Sequence, residues 1–212
     1  SEWKYSKAAS RKIKGARMGE QRISDTHSMP QHKDVTFVIL FDESNPEGLE
    51  VTKQSIECQK AINANIISCP VQQLQQAKAS VTDSSTVIIL RSGDTFYSEN
   101  SCIELASEIS EEVECVYCDS IIKDAEDEML QLMFPFSLET MSSGYMITNI
   151  ILSSKLFDSL TINENINFLL GHDLILKACQ LTKVRHLAET KFILPSRAVN
   201  VEHEIPFVGT IS

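Results

Sequence analysis

The segment 87–100, VIILRSGDTFYSEN, runs from an apolar stretch into a polar turn that carries a cation and an acid. Arg91 closes the apolar stretch and Asp94 follows Gly93. A guanidinium at that position offers fixed donors to phosphate oxygens. A carboxylate just past a strand can ligate a divalent metal or accept from a sugar hydroxyl. It can equally satisfy the backbone donors of its own turn. Two other places carry chemistry. Asp42 and Glu43 follow the apolar run 35–41, where an acid can accept from a hydroxyl or serve the turn. His172 and Asp173 stand side by side where an apolar-patterned helix is expected. They can act as an acid–base pair or as an ordinary polar helix start. Glu164 is a weaker substitute base.

Short apolar strands separated by helices must position these residues. Residues 35–41 (VTFVILF), 65–69 (NIISC), 86–90 (TVIIL) and 114–118 (ECVYC) are brief and nearly continuous apolar runs. Such runs are typical of strands covered on both faces. Between them, residues 47–60, 71–80 and 99–112 have helical patterns, the last of them acidic. The β-α alternation predicts an open α/β sheet with helices on both faces, and a ligand edge at the strand C-termini. Beyond Asp119 the order changes: 120–150 is irregular, 151–160 a short strand and helix, 163–182 a helix, and 184–194 a last strand. Residues 1–22 form a basic helical pattern with Trp3 and Tyr5 as anchors, and the Pro-containing 23–34 form a linker. The chain therefore divides into an N-terminal segment, 1–34, and a globular domain, 35–212.

Charge divides it the same way. Residues 1–33 hold eight basic and three acidic side chains, a net +5, and the remainder is −15 of the total −10. So acidic a body repels nucleic acid. The basic arm can touch anionic lipid, RNA or an acidic neighbour, or be a solvated linker. No apolar run is long enough for a transmembrane segment and no signal-peptide pattern opens the sequence. Cys115 and Cys118 have metal-ligand spacing, yet residues three apart on a strand face opposite ways. With the other four cysteines in mostly apolar surroundings, buried thiols in a reducing compartment are expected.

In this order and spacing the motifs resemble family 2 glycosyltransferases of GT-A fold over roughly residues 35–197. Ser55-Ile56 sits where that family has a Ser-Ile helix motif. Leu90–Asp94 followed by 95–109 looks like its strand, DXD turn and helix. Residues 116–119 (VYCD) look like its Val-Tyr-Ser-Asp, and 134–147 (FPFSLETMSSGYMI) like its acceptor-side loop. Residues 171–178 (GHDLILKA) look like its late catalytic helix, and the strand and Arg197 beyond them match its order.

The resemblance implies a GT-A-like open mixed sheet flanked by helices, and transfer of a sugar from a nucleotide-sugar donor. The acceptor would be a glycan or glycolipid in surface polysaccharide or glycoconjugate assembly. The setting would be cytoplasmic, or peripheral at the inner face of the membrane. Asp42, Arg91 and Asp94 would bind the donor, Asp94 would ligate a divalent Mn or Mg if one is used, and Asp173 with His172 would be catalytic. The chain departs from the family pattern at its acids. The two DXD acids stand as Arg91 and Gly93, with only Asp94 one position later. The nucleobase Asp stands as Ser68-Cys69, and the catalytic base as Gly171. A diphosphate leaving group needs its charge met, so either Arg91 replaces the metal or the site is degenerate. The alternative to a transferase is a catalytically inactive GT-A-like domain, serving as a scaffold or binding module in a larger protein. Fold alone does not grant activity.

Overall fold

The computed structural model describes residues 32–41, 46–83, 85–133, 135–137, 149–163 and 165–197, with Glu204 and Val208. The expectations for 1–31, Asp42, Glu43, Glu164 and most of the loop 134–147 lie outside the described residues.

The strands are β1 (Lys33–Leu40), β2 (Ile62–Cys69), β3 (Thr86–Arg91), β4 (Thr95–Phe96), β5 (Cys115–Lys123), β6 (Glu128–Gln131), β7 (Ile150–Ser153) and β8 (Val184–Pro195). They form one mixed sheet in the order β2-β1-β3-β7-β5-β8-β4, with β6 paired to β5. The strands β1, β2 and β3 are mutually parallel, β7 is antiparallel to β3 and β5, and β8 is parallel to β5. The helices are α1 (Pro46–Glu57), α2 (Leu74–Ala77), α3 (Ser101–Glu108), α4 (Ser154–Ser159) and α5 (Leu170–Ala178).

The apolar runs are continuous because alternate side chains feed two cores. Val38, Leu40, Val87, Ile89, Cys115, Tyr117, Ile150 and Leu152 pack with residues of α2, α4 and α5. Their strand neighbours Phe37, Ile39, Ile88, Leu90, Val116, Cys118 and Ile151 pack with residues of α1 and α3. Each fully buried Ile, Leu or Phe side chain contributes about 1.5–3 kcal/mol, so both faces must be covered. This is the three-layer arrangement expected from the sequence, and it separates Cys115 from Cys118. Burial raises both thiols, Cys118 to about 12, as befits buried hydrophobes.

Several boundaries differ from the sequence-based expectation. The fourth long strand continues from Cys118 to Lys123, so Asp119 lies inside it. Polar Asp119, Ser120 and Lys123 hide that extension, which is held by β6 and β8. The helix expected over 163–182 is confined to 170–178. Asn163 turns its side chain back on the backbone N–H of Asn165 (3.0 Å), a local bond that competes with helix formation. The 71–80 segment is short pieces of 3-10 and α-helix rather than one helix. The expected helix over 99–112 stops at Glu108, where Ser110 and Val113 close a turn on each other.

Candidate functional site

Because β1, β2 and β3 are parallel, Leu40, Cys69 and Arg91 end on one edge of the sheet. The turn from Arg91 to Asp94 lies on this edge and is stitched to its neighbours. The Ser92 N–H donates to the Leu40 carbonyl (2.9 Å). The Gly93 N–H donates to the Gly48 carbonyl (2.8 Å) and to the Thr52 hydroxyl (2.9 Å), both in α1. Gly93 has φ +93°, and a Cβ there would come within 3.1 Å of Pro195 Cγ. Glycine is required both by the backbone angle and by the closeness of β8. Ser55, part of the motif that carried the resemblance, accepts the Phe96 N–H (2.8 Å) and so fixes β4 to α1.

Asp94 is the centre of the turn and is fully buried. Its Oδ2 accepts from the Arg91 N–H (2.8 Å) and from Asn149 Nδ2 (2.9 Å). Its Oδ1 accepts from Arg197 Nη2 (2.7 Å). Three protein donors thus converge on one carboxylate, the mark of a buried charge held by its surroundings.

Arg91 is buried. Its side chain is directed to the turn before α5, where Nη1 donates to Asn167 Oδ1 (2.9 Å) and Nη2 to the Asn167 carbonyl. The guanidinium lies 5.0 Å from the centroid of the Phe168 ring. Burial lowers its pKa to about 10, against the pull of Asp94, so it stays charged at neutral pH. The same turn is gripped by Glu204. That carboxylate accepts the N–H groups of Asn167 (3.0 Å), Phe168 (3.2 Å) and Leu169 (2.9 Å).

A cation that reaches solvent beside this turn is Arg197, just past β8. Its side chain is 23% exposed while Nη2 holds both Asp94 and the Ser92 carbonyl (2.8 Å). A guanidinium carries five N–H donors, so a group fixed through Nη2 still presents others.

His172 and Asp173 are both buried within α5. Asp173 is ion-paired with Lys177 one turn later (2.9 Å), and Lys177 also donates to the Thr161 carbonyl (2.9 Å). The structure therefore gives Asp173 a partner on its own helix. Asp119 accepts the Met133 N–H (2.8 Å) and bonds His186 Nε2 (2.9 Å), whose ring stacks on Tyr117 at 5.0 Å. Sequence reasoning assigned His186 nothing, since its partner lies on another strand. Asn149, Asn167, Lys177 and Glu204 were also missed. Lys177 did carry a local signal, since it stands four residues after Asp173 in the 171–178 stretch, the spacing of a helical ion pair. The other three stand in no motif, and each acts through a contact that no local pattern announces. Arg197 also left a signal, its place after the last strand.

A divalent metal at the turn was the expectation carried by Asp94. Among the described residues, no group of three His, Cys, Asp or Glu could hold a metal ion. With both Asp94 oxygens already bonded to protein donors, the described residues do not fit one.

No protein-family model matches the chain, and no curated protein matches it. Solved structures do. It is similar to residues 1–349 of S. aureus TarS in complex with UDP, with TM-score 0.57 and 11% identity over 82% of this chain and 62% of that one. The same protein with UDP-GlcNAc gives TM-score 0.57 and 12% identity over 79% and 60%. The mannosyltransferase PcManGT from Pyrobaculum calidifontis, in complex with GDP-Man and Mn2+, gives TM-score 0.54 and 9% identity over 83% and 60%. The chain thus spans less than two thirds of these proteins. Identities this low speak to architecture alone, and there they agree with the strand order, the parallel β1–β3 edge and the two helical layers: the chain has the GT-A fold.

Proposed function

We propose that the chain is a nucleotide-sugar-dependent glycosyltransferase domain of family 2 type. It would take a nucleotide diphosphate sugar at the β1–β3 edge and pass the sugar to a glycan or glycolipid in surface polysaccharide or glycoconjugate assembly. One observation carries this reading. On a fold shared with proteins holding UDP, UDP-GlcNAc and GDP-Man, a solvent-reaching guanidinium, Arg197, is fixed to the turn at the end of β3. A diphosphate is met by fixed cationic donors as well as by a metal. We therefore assign the donor's diphosphate to Arg197, with transfer independent of metal. Arg91 and Asp94 are positioning residues that hold the turn, and Asp42 remains a proposed contact to the nucleoside. His172 and Asp173 remain the proposed acid–base pair, which would require α5 to uncover them.

A specific observation favours a second reading, an inactive GT-A domain that serves as a binding module. The acid at the turn is saturated by three protein donors, and Arg91 is spent on Asn167 and Phe168. Calorimetric titration with UDP, GDP and their sugar conjugates, with and without manganese, separates the two. Binding without metal supports the transferase. Binding only with manganese overturns the guanidinium assignment. Absence of binding by every nucleotide favours the inactive module.

A further inference from the structure

The outer edge of the sheet at β2 turns half of its backbone groups away from the sheet. The Lys33 N–H donates to the Ala61 carbonyl (3.2 Å) and the Phe41 N–H to the Cys69 carbonyl (3.3 Å). Odd-numbered residues of β2 therefore turn their backbone groups toward β1. By strand alternation, the N–H and C=O groups of Ile62, Ala64, Ile66 and Ser68 point away from it. Among the described residues no strand lies beyond β2.

Sheet edges are ordinarily defended by shortness, charge, proline or a bulge. The chain uses such devices at its other edges. β4 is two residues long, and β6 is four residues long and carries Glu128. β2 uses none. Its eight residues, INANIISC, include no charge and no proline, and its register with β1 runs from Lys33↔Ile62 to Leu40↔Cys69 without a shift. Asn63, Ala64, Ile66 and Ser68 are exposed, Ile66 at 37%.

We propose that β2 pairs antiparallel with β2 of a second copy, about a two-fold axis at Asn65, joining two sheets into one. In that register Ile62 faces Ser68 and Ala64 faces Ile66, so every outward backbone group finds a partner. Asn65 faces its own counterpart at the position without backbone hydrogen bonds. A two-fold pairing sets each residue of the strand against another of the same strand, so any charge on it would meet itself or a neighbour. An uncharged strand on a chain of net charge −10 is where two copies approach with least repulsion. Self-association by this edge does not depend on whether the sheet's other edge binds a nucleotide.

Sedimentation velocity of the full chain from about 5 to about 200 µM tests the proposal, since mass action makes a dimer concentration-dependent. A monomer–dimer equilibrium is expected, stronger at high salt because the net charge is screened. Ala64→Lys places a charge on the edge, and Ala64→Pro removes an outward N–H that β1 does not use. Both should weaken the dimer at least tenfold while the far-UV spectrum and melting curve stay native. In a Cys58→Ser background, Asn65→Cys should cross-link two copies, because facing Cα atoms at such a position lie at disulfide distance, and Asn63→Cys should not. A wild type that stays monomeric throughout overturns the proposal. So does a dimer indifferent to both Ala64 variants, or one that cross-links equally through position 63.

Discussion

At the scale of single residues, the chain keeps charges at its sheet edge but spends most of them on holding the edge together. Asp94 shows this best. Its carboxylate joins a main-chain N–H, an amide and a guanidinium from three separate stretches of sequence. Removing one partner of a buried charge pair strands the other, at a cost of about 3–5 kcal/mol. Asp94→Ala should therefore lower unfolding stability in urea by about 3 kcal/mol or more, and Asp94→Asn by less, because an amide oxygen still accepts. Were Asp94 chiefly a metal ligand, both variants would fold like the wild type and lose only manganese-dependent binding. Asp173 follows the same logic through Lys177. A sequence displays the type of an acid, not what already occupies it. Asp94, Asp173 and Arg91 were therefore legible as candidates, whereas Asn149, Asn167 and Glu204, which decide what those residues can do, were not.

At the scale of elements, continuous apolar runs marked β1, β3 and the first half of β5 because both faces of those strands are covered. Strand ends and helix ends were less legible, since polar side chains and local turns set them. Two turns now have definite expectations. Gly93 sits at φ +93° against Pro195, so Gly93→Ala should destabilise the fold by at least about 1 kcal/mol. Ala61, which leads into β2 at φ +56°, is a non-glycine residue in left-handed geometry, so Ala61→Gly should stabilise by about 1 kcal/mol. Opposite shifts of the melting temperature would bear this out, and equal shifts would contradict it. The β5–β6 hairpin is closed by Asp124, whose Oδ1 accepts the N–H groups of Glu126 and Asp127 at 2.9 Å each. Those two bonds hold the carboxyl below its ordinary 3.8. A depressed carboxyl contributes stability above the unfolded-state value and loses it as pH falls through the folded one. The amide signals of Glu126 and Asp127 should therefore shift with a midpoint below 3.8. A midpoint above that value would contradict the hairpin geometry.

At the scale of the whole molecule, the sheet offers two edges with different chemistry. The strand C-termini of β1, β2 and β3 carry the glycine turn and a cationic side chain on an otherwise acidic body. Among the described residues, the long side of β2 is uncharged and has no strand beyond it. Alternation of strands and helices made the fold class readable, and the GT-A neighbours bear it out. The strand order was not readable, because β7 inserts antiparallel between β3 and β5 through contacts that no local pattern announces. Among the described residues no helix is long and apolar enough to cross a membrane. On an acidic body, a guanidinium at the sheet edge is a local source of positive potential.

The proposed function stands or falls on Arg197, which is to meet the diphosphate of a nucleotide sugar without a metal. Metal-free calorimetric titration of the wild type and of Arg197→Ala with UDP and GDP decides it, with melting curves to show that both remain folded. A charge-assisted contact is worth about 1.5–3 kcal/mol, so the wild type should bind and the variant should lose at least about tenfold in affinity. Equal affinity in the two proteins, or no binding by the wild type to either nucleotide, would refute the assignment.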